Sequence, residues 1–342
     1  MQLGCPYISV VVPVYNGRDF LRQCLNGIFA SVYRSFEVIV VDDCSTDSGA
    51  EIAKKKGVSV ITTPARSGPA LARNLAANVA VGEVLIFIDA DVVVKPDTLG
   101  QIAEHFQSRP DLSALFGSYD DEPAERNFLS QYKNLQHHFV HQNSSPTAST
   151  FWSGLGAIRR AVFIEFGGFD CKKFARPSIE DIDLGFRLHR EGHQILLDRS
   201  IQAKHLKKWD ISSHLKTEIF RRALPWSQLI IENNGLINDM NLKTADRTSA
   251  LLVALSLIVA PLVPWFPALL LIPIACLVAI AFLNRQILSF FARKRGIPFA
   301  ALTFPWQIFY YFYSGTTFAL SWLFYLLPRS DQKEKSPTRQ PG

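Results

Sequence analysis

The chain has 342 residues, enough for one catalytic domain and a smaller second region. Hydrophobic residues make up 48% and charged ones 19%; this lies at the upper end of ordinary soluble composition, and the apolar excess sits after Ser249. Five cysteines without a CxxC pair exclude a legible zinc site or disulfide framework and fit a reducing compartment, while a net charge of +6 fits nucleic acid, anionic lipid or phosphorylated ligands.

The first half alternates strand and helix patterns. Ile8–Val14 is a valine-rich buried strand, entered too early to leave room for a signal peptide. Asp19–Ala30 carries apolar residues at helical spacing: Phe20, Leu21, Leu25, Ile28 and Phe29. Strands are expected at Phe36–Val41, Val58–Thr62 and Val84–Ile88, with helices at Ser48–Lys56 and Pro69–Ala80 and another starting at Pro96 and Asp97. Near-continuous apolar strands between helices predict an α/β fold with a mostly parallel sheet flanked by helices. In such sheets ligands bind beyond the carboxyl ends of the strands. Three of those ends are polar here: Pro13-Val-Tyr-Asn16, Asp42-Asp43-Cys-Ser-Thr-Asp47 and Asp89-Ala-Asp91. Beyond Ala114 the pattern is mixed. Helices are expected at Phe128–Gln142, Asp181–Glu191 and Ile211–Ile231, and a strand at Ile195–Asp198.

Ser249–Leu283 is uncharged and almost wholly apolar. A spanning helix needs roughly 20 such residues. The stretch is long for one helix and short for two, and Pro261, Pro264 and Pro267 cluster at its middle. A tight hairpin turning near Val263–Phe266 is the favoured reading, and one long kinked helix is the other. Asn284–Pro298, with Arg285, Arg293, Lys294 and Arg295, has the pattern of an amphipathic interfacial helix, and Phe299–Leu327 that of a last apolar span. The basic loop favours a cytoplasmic catalytic domain and lipid as the target of the basic charge. The resulting division is a catalytic domain over 1–235, a membrane region over 236–328 and a disordered polar tail over 329–342.

The strongest chemical signal is Ile86-Phe-Ile-Asp89-Ala-Asp91. Two carboxylates at alternate positions of a strand end can both point into one crevice. Hard divalent cations take carboxylate oxygens and keep positions open for phosphate, and so neutralise a departing diphosphate. A turn or capping role for both aspartates is the plainer alternative.

In context the motif is more specific. Ser9-Val-Val-Val-Pro-Val-Tyr-Asn16, Val40-Val-Asp-Asp-Cys-Ser-Thr-Asp47, Ala72-Arg-Asn74, Gly82-Glu83, Asp89-Ala-Asp91, Gly167-Gly-Phe-Asp170 and Glu180-Asp181 together resemble the GT-A glycosyltransferases of family 2 over residues 7–210. The resemblance implies the GT-A nucleotide-diphospho-sugar transferase fold. It implies a nucleotide site in which Asp43 accepts from the imide N–H of uracil, Asp42 supports it, and Pro13 and Tyr15 line the base. It implies Mn2+ or Mg2+ held by Asp91, with Asp89 on the ion or on the ribose or sugar and His205 as a third ligand. Asp181 takes the role of base in an inverting transfer, with Glu180 beside it. Trp152 and Gly154 fall near the donor sugar, where glycine permits close backbone approach. Plainer readings stand beside these. Asp42 and Asp43 could cap the helix at Ser48, the acids at 180–183 could favour a helix N-terminus, and His205 could be a surface residue. His137, His138 and His141 read as solvated or acceptor-side histidines.

One departure bears on product length. Processive membrane synthases of the family carry Gln-x-x-Arg-Trp before their membrane helices; here the region reads Phe220-Arg-Arg-Ala-Leu-Pro-Trp226. Arg221 or Arg222 still suits phosphate oxygens, and Arg222 and Trp226 are expected to line the donor or acceptor site. The expectation is transfer of one sugar from a nucleotide-sugar, UDP-sugar favoured, to a lipid-linked or glycan acceptor at a membrane. A processive synthase and a silent nucleotide-sugar-binding subunit are the competing readings. An oxidoreductase is rejected for want of a GxGxxG after the first strand.

Overall fold

The computed structural model describes residues 5–233 and 243–327. The expected domain boundary near 235 and the tail at 329–342 fall outside them. Eight strands, β1 (Ile8–Val14), β2 (Phe36–Asp42), β3 (Ser59–Thr62), β4 (Val84–Ile88), β5 (Val92–Val93), β6 (Leu112–Tyr119), β7 (Leu155–Arg159) and β8 (Gln194–His205), form one sheet ordered β3-β2-β1-β4-β7-β6-β8-β5. The helices around it are α1 (Arg18–Phe29), α2 (Gly49–Lys55), α3 (Pro69–Val79), α4 (Thr98–Ser108), α5 (Phe128–Gln142), α6 (Arg160–Glu165), α7 (Glu180–Arg190), α8 (Ile211–Lys216) and α9 (Leu224–Glu232). A C-terminal group follows: α10 (Thr244–Val259), α11 (Leu271–Leu283), α12 (Arg285–Arg295) and α13 (Ile297–Leu326).

The valine run of β1 is buried on both faces, as expected for a strand covered by helices on each side. One face packs against Leu21, Cys24, Leu25 and Ile28 of α1, a set at helical spacing, and against α4. The other face meets the alanines of α3, which let that helix lie close, and a cluster of Phe87, Phe151, Phe163 and Phe169.

The sheet is mixed, with six strands (β3, β2, β1, β4, β6 and β8) running one way, so the mostly parallel arrangement expected holds for all but β7 and β5. β3, β2, β1 and β4 are parallel, but β7 runs antiparallel to both neighbours, β4 and β6, and β5 antiparallel to β8. Neither β6 nor β7 stood out in the sequence. All eight residues of β6 are buried, yet Ser113, Gly117 and Ser118 interrupt its apolar run. β8 is also longer than Ile195–Asp198. Beyond a register shift opposite Phe116–Ser118, its alternation resumes with Ile201, Ala203 and His205 inward. This extension matters for function. The β5–β8 pairing sets Val92 opposite His205, and Leu206 N donates to Asp91 O at 2.8 Å. A histidine 114 positions after Asp91 is thereby fixed beside it.

The 211–232 segment is helical as expected, with a π-helical stretch at Thr217–Ala223 between α8 and α9. After it, α10 and α11 fold back on each other through 3-10 turns at Ala260–Leu262 and Pro267–Leu270, so the proline cluster makes a hairpin and not one kinked helix. Among the described residues Thr244–Leu262 is the one helix long and apolar enough to cross a membrane; Pro267–Leu283 with Arg285–Arg295 would supply a second only as a span bent by 67°. The helix at the expected last span, α13, does not meet that measure, and it buries Thr303, Gln307, Tyr311 and Tyr313. Of Ile287, Leu288, Phe290 and Phe291, the apolar residues of α12 expected at a lipid interface, Ile287, Phe290 and Phe291 are covered by Tyr132 and Leu135 of α5, and Leu288 is half-buried. Arg295 donates to Gln131 Oε1 at 2.6 Å and to Asp121 O at 3.0 Å, and Lys294 pairs with Asp121. The C-terminal helices are thus docked onto the α/β unit.

Candidate active site

The ends of β1, β2 and β4 open onto one cavity of about 1130 Å3. At its first corner the loops after β1 and β2 are clasped by Asn16. Its backbone N donates to Ser45 Oγ at 2.9 Å, and its Oδ1 accepts from Thr46 N at 2.8 Å, with Asn16 in the left-handed region (φ 48°) that asparagine tolerates. Pro13, Tyr15 and Asp43 line the cavity there, and the Arg66 guanidinium lies 3.9 Å from the centre of the Tyr15 ring. Asp43 is buried and accepts from Thr63 Oγ1 (3.0 Å), Ser67 N (2.8 Å) and Gly68 N (2.8 Å). A carboxylate has about four lone-pair sites, so one remains for a ligand N–H. Asp42 does not line the cavity; its Oδ1 accepts from Ser45 N at 3.1 Å and shapes the turn. Neither aspartate caps α2, whose first N–H is taken by Asp47 Oδ1 at 3.0 Å.

The floor is built on a buried cation. Arg73 on α3 donates through Nη2 to Asp89 Oδ1 at 2.6 Å and through Nη1 to Glu180 Oε1 at 2.9 Å. Glu180 Oε2 accepts from Ser178 N at 2.9 Å, so both its oxygens are engaged, and Asp89 is tied to a guanidinium on one side. Burial pushes the Asp89 and Glu180 carboxyls above their usual range, and Arg73 opposes that shift at each.

Asp91 faces the other way. Its Oδ2 stands 3.6 Å from His205 Nε2, and Tyr119 lies flat on the His205 ring at 4.1 Å and 10°. Burial would raise the Asp91 carboxyl, but the imidazole and Lys207 outweigh it and hold the group below the usual carboxylate range. Asp91 and His205 therefore form an anionic oxygen and an imidazole nitrogen side by side at the cavity wall, a donor set that suits a divalent ion. Among the described residues no three such ligands gather.

Asp181, at the start of α7, lines the same cavity. Its Oδ2 accepts from Ser153 N (2.9 Å) and Ser153 Oγ (3.0 Å). The preceding Trp152 lines the cavity and its indole lies over Gly154, where a Cβ would come within 2.5 Å of the ring. Gly154 itself does not line the cavity; its absent side chain seats the indole, and its carbonyl accepts from Asp89 N at 3.2 Å.

Farther along, Lys207, Lys208, Arg221, Arg222 and Trp226 continue the lining. Arg222 is held by Glu218 Oε1 at 3.1 Å, and Lys133 by Glu218 Oε2 at 2.8 Å. Burial alone would raise Glu218, but Lys133 and Arg222 bring its carboxyl down to about 2. The cavity then runs between α10 and α13, past Leu251, Ala254, Gly315 and Phe318. Of the three histidines on α5, His138 and His141 are fixed by the carbonyls of Tyr119 (2.8 Å) and Gly117 (3.0 Å). Sequence reasoning gave no role to Arg73, Tyr119, Ser153, Glu218 or Lys133. Arg73 carried a signal as the centre of Ala72-Arg-Asn74, and Ser153 as the middle of Trp152-Ser-Gly154.

Residues 9–167 match the family described as Glycosyl transferase family 2. Glycosyltransferase GlyG of Streptococcus pneumoniae is 34% identical over 117 residues, which are 33% of this chain and 38% of that protein. The putative teichuronic acid biosynthesis glycosyltransferase TuaG of Bacillus subtilis is 33% identical over 109 residues, 30% of this chain and 43% of its own. The chain thus matches well under half the length of these relatives. Among solved structures, mannosyltransferase PcManGT from Pyrobaculum calidifontis, in complex with GDP-Man and Mn2+, aligns at a TM-score of 0.56 and 19% identity over 92% of this chain and 87% of its own. S. aureus TarS 1-349 in complex with UDP-GlcNAc aligns at 0.53 and 17% identity over 91% and 90%. These likenesses establish a GT-A-like α/β fold.

Proposed function

From a family 2 glycosyltransferase domain in residues 9–167, we propose that the chain transfers a single sugar from a nucleotide-diphosphate sugar, with inversion, to a lipid-linked acceptor at a membrane. The observation that carries this reading is the continuity of one cavity. It joins Asp43, the Asp91–His205 pair, Asp181 and the Arg221–Arg222 corner, and runs on between α10 and α13.

Each part has a role in that reaction. Asp43 receives an N–H of the base beside Tyr15; a uracil nucleotide is favoured. Asp91 and His205 would hold Mn2+ or Mg2+, which neutralises charge on the leaving diphosphate. The remaining ligands of such an ion come from phosphate oxygens and water. Asp181, oriented by Ser153, takes the proton of the acceptor hydroxyl as it attacks the anomeric carbon. Arg73 holds Asp89 and Glu180 in place from below. The guanidinium of Arg222 suits an anionic group on the acceptor, since its planar fork matches phosphate oxygens.

The anchor reading rests on surface. Leu251, Ile258, Trp265, Leu271, Val278 and Phe282 on the hairpin are each more than 60% exposed. Large apolar side chains exposed together in this way mark a contact with lipid or protein. The Thr244–Leu262 arm has 19 residues, about 28 Å at helical rise, which matches a hydrocarbon core of about 30 Å. The basic charge of α12 and of the 204–222 segment favours a cytoplasmic side for the catalytic domain. An acceptor with an apolar tail in the α10–α13 groove would present its head to Asp181. The Gln-x-x-Arg-Trp departure favours single transfer over processive synthesis.

The test is calorimetric binding of a nucleotide-sugar panel to the purified full chain in detergent, each with Mn2+ and with EDTA, followed by transfer to lipid extract. Metal-dependent binding of one nucleotide class and a lipid-soluble product are expected. Binding without any transfer would favour the silent subunit.

A further inference from the structure

His137 on α5 stands apart from its two neighbours. His138 and His141 each place Nδ1 on a carbonyl of β6, whereas His137 Nδ1 is buried with no hydrogen-bond partner among the described residues. Three rings surround it: His141 at 4.0 Å, Tyr119 at 4.5 Å and Trp152 at 4.7 Å between centroids. Its ring nevertheless lines the active-site cavity. Burial, with the charges of His141 and Arg222, pushes its pKa well below the ordinary histidine value, so it is a neutral ring. A neutral imidazole carries one donor and one acceptor nitrogen. With Nδ1 enclosed by aromatic faces, Nε2 is the nitrogen left for the cavity.

The place of this ring in the wall gives it a task. Asp91 faces His205, His205 stacks on Tyr119, Tyr119 touches His137, His137 touches Trp152, and Ser153 next to Trp152 holds Asp181. The arc leads from the diphosphate end of the reaction to the base end, with His137 at its middle. A transferred sugar must bridge those ends, because its anomeric carbon lies between the leaving phosphate oxygen and the attacking hydroxyl. The Trp152 ring, which lines the cavity, suits the C–H face of a sugar, and a lone polar nitrogen beside it fixes the sugar's orientation.

We infer that His137 is a specificity-determining residue for the transferred sugar, its Nε2 serving as the hydrogen-bond partner of one ring hydroxyl. The inference rests on the glycosyl-transfer reading. A site built to hydrogen-bond a hydroxyl discriminates against sugars that lack it or place it on the other face, because the buried partner is then left unpaired.

The experiment compares the full chain in detergent with His137→Phe, which keeps a ring against Trp152, and His137→Gln, which keeps a hydrogen-bonding group. Calorimetry reads affinity for the nucleoside diphosphate alone, and for the same nucleotide carrying glucose, galactose, mannose or N-acetylglucosamine. The expected result for His137→Phe is unchanged diphosphate affinity and a roughly three- to tenfold loss for the preferred sugar, which flattens the ranking of the panel. Partial recovery in His137→Gln supports the same role. Equal losses for the diphosphate and every sugar would show a packing role and overturn the inference, as would an unchanged ranking in both variants. Failure of the unmodified chain to bind any nucleoside diphosphate would instead remove the glycosyl-transfer reading, and this inference with it.

Discussion

Arg73 donates to Glu180 across 2.9 Å, joining α3 to a residue 107 positions later, at the start of α7. The same guanidinium reaches Asp89 at 2.6 Å, so one buried cation ties the strand end carrying Asp89 and Asp91 to the helix carrying Asp181. Removing it leaves two carboxylates in a desolvated floor. Arg73→Ala is expected to lose about 3–5 kcal/mol of stability, the usual effect of breaking a buried pair. Thermal unfolding in detergent checks this. A melting temperature close to that of the unmodified chain would mean water replaces the guanidinium and the floor is not a rigid unit.

The engagement of Glu180 separates it from Asp181. Glu180 is buried with one oxygen on the Arg73 guanidinium and the other on Ser178 N, while Asp181 is only half-buried and holds Ser153 on Oδ2 and the adjacent Ile182 N on Oδ1. Asp181→Asn is expected to spare donor binding and lower turnover by roughly a hundredfold or more, as for loss of a general base. Glu180→Gln should instead weaken stability and donor binding together. Turnover near the unmodified rate in Asp181→Asn would remove it as the base.

How much of this was readable in advance divides by the range of the interaction. The parallel half of the sheet was legible because Val10–Val12 and Val38–Val41 are local apolar runs with helices at short spacing. Most of the cavity wall was legible too, since Pro13, Tyr15, Asp43, Asp89, Asp91 and Asp181 fall in ordered motifs at strand ends and a helix start. The antiparallel β7 was hidden because five residues after a glycine turn carry little periodic signal. The pairing of Asp91 with His205 depends on the β5–β8 register, which no local pattern encodes. The covered face of α12 misled in the same way. Its amphipathic pattern reports an apolar stripe, and only the fold shows that α5 lies on it.

Asp91 and His205 give a prediction about metal. Asp91→Ala and His205→Ala should each abolish the difference in nucleotide-sugar affinity between Mn2+ and EDTA. His205→Ala should have the milder effect, because phosphate and water supply the rest of the shell. Calorimetry of both variants in both conditions decides it, and a metal effect that persists in Asp91→Ala would place the ion elsewhere.

Stability should fall in two stages as pH is lowered, and the corner of His214 and Glu218 contributes to both. Burial and the nearby Lys133 charge lower the His214 pKa to about 4, so the folded state resists a proton that the unfolded chain binds below the ordinary histidine value of 6.5. Stability from this group is present above pH 6.5 and is lost as pH falls toward 4. Glu218, with a folded value of about 2 against an ordinary 4.5, adds stability that is complete above 4.5 and lost from there down to 2. Denaturant titrations across this range should show both losses. Glu218→Gln should remove the lower one and cost about 3 kcal/mol at neutral pH by leaving Lys133 and Arg222 unpaired. A lower stage that survives in Glu218→Gln would assign it to other carboxylates.

The exposed hairpin can be tested apart from catalysis. Ile258 and Val278 are 70% and 65% exposed and lie outside the cavity lining. A lysine near the middle of a bilayer is disfavoured by about 2.5–3.5 kcal/mol, so Ile258→Lys with Val278→Lys should loosen a lipid-seated hairpin strongly. The catalytic domain, with its own core, should still bind donor. The measurement is retention in membranes after an alkaline wash. The unmodified chain is expected to stay with the membrane fraction and the double variant to leave it with donor binding intact. Complete release of the unmodified chain would mean that this apolar surface is covered by protein and not lipid, and would move the acceptor away from the bilayer.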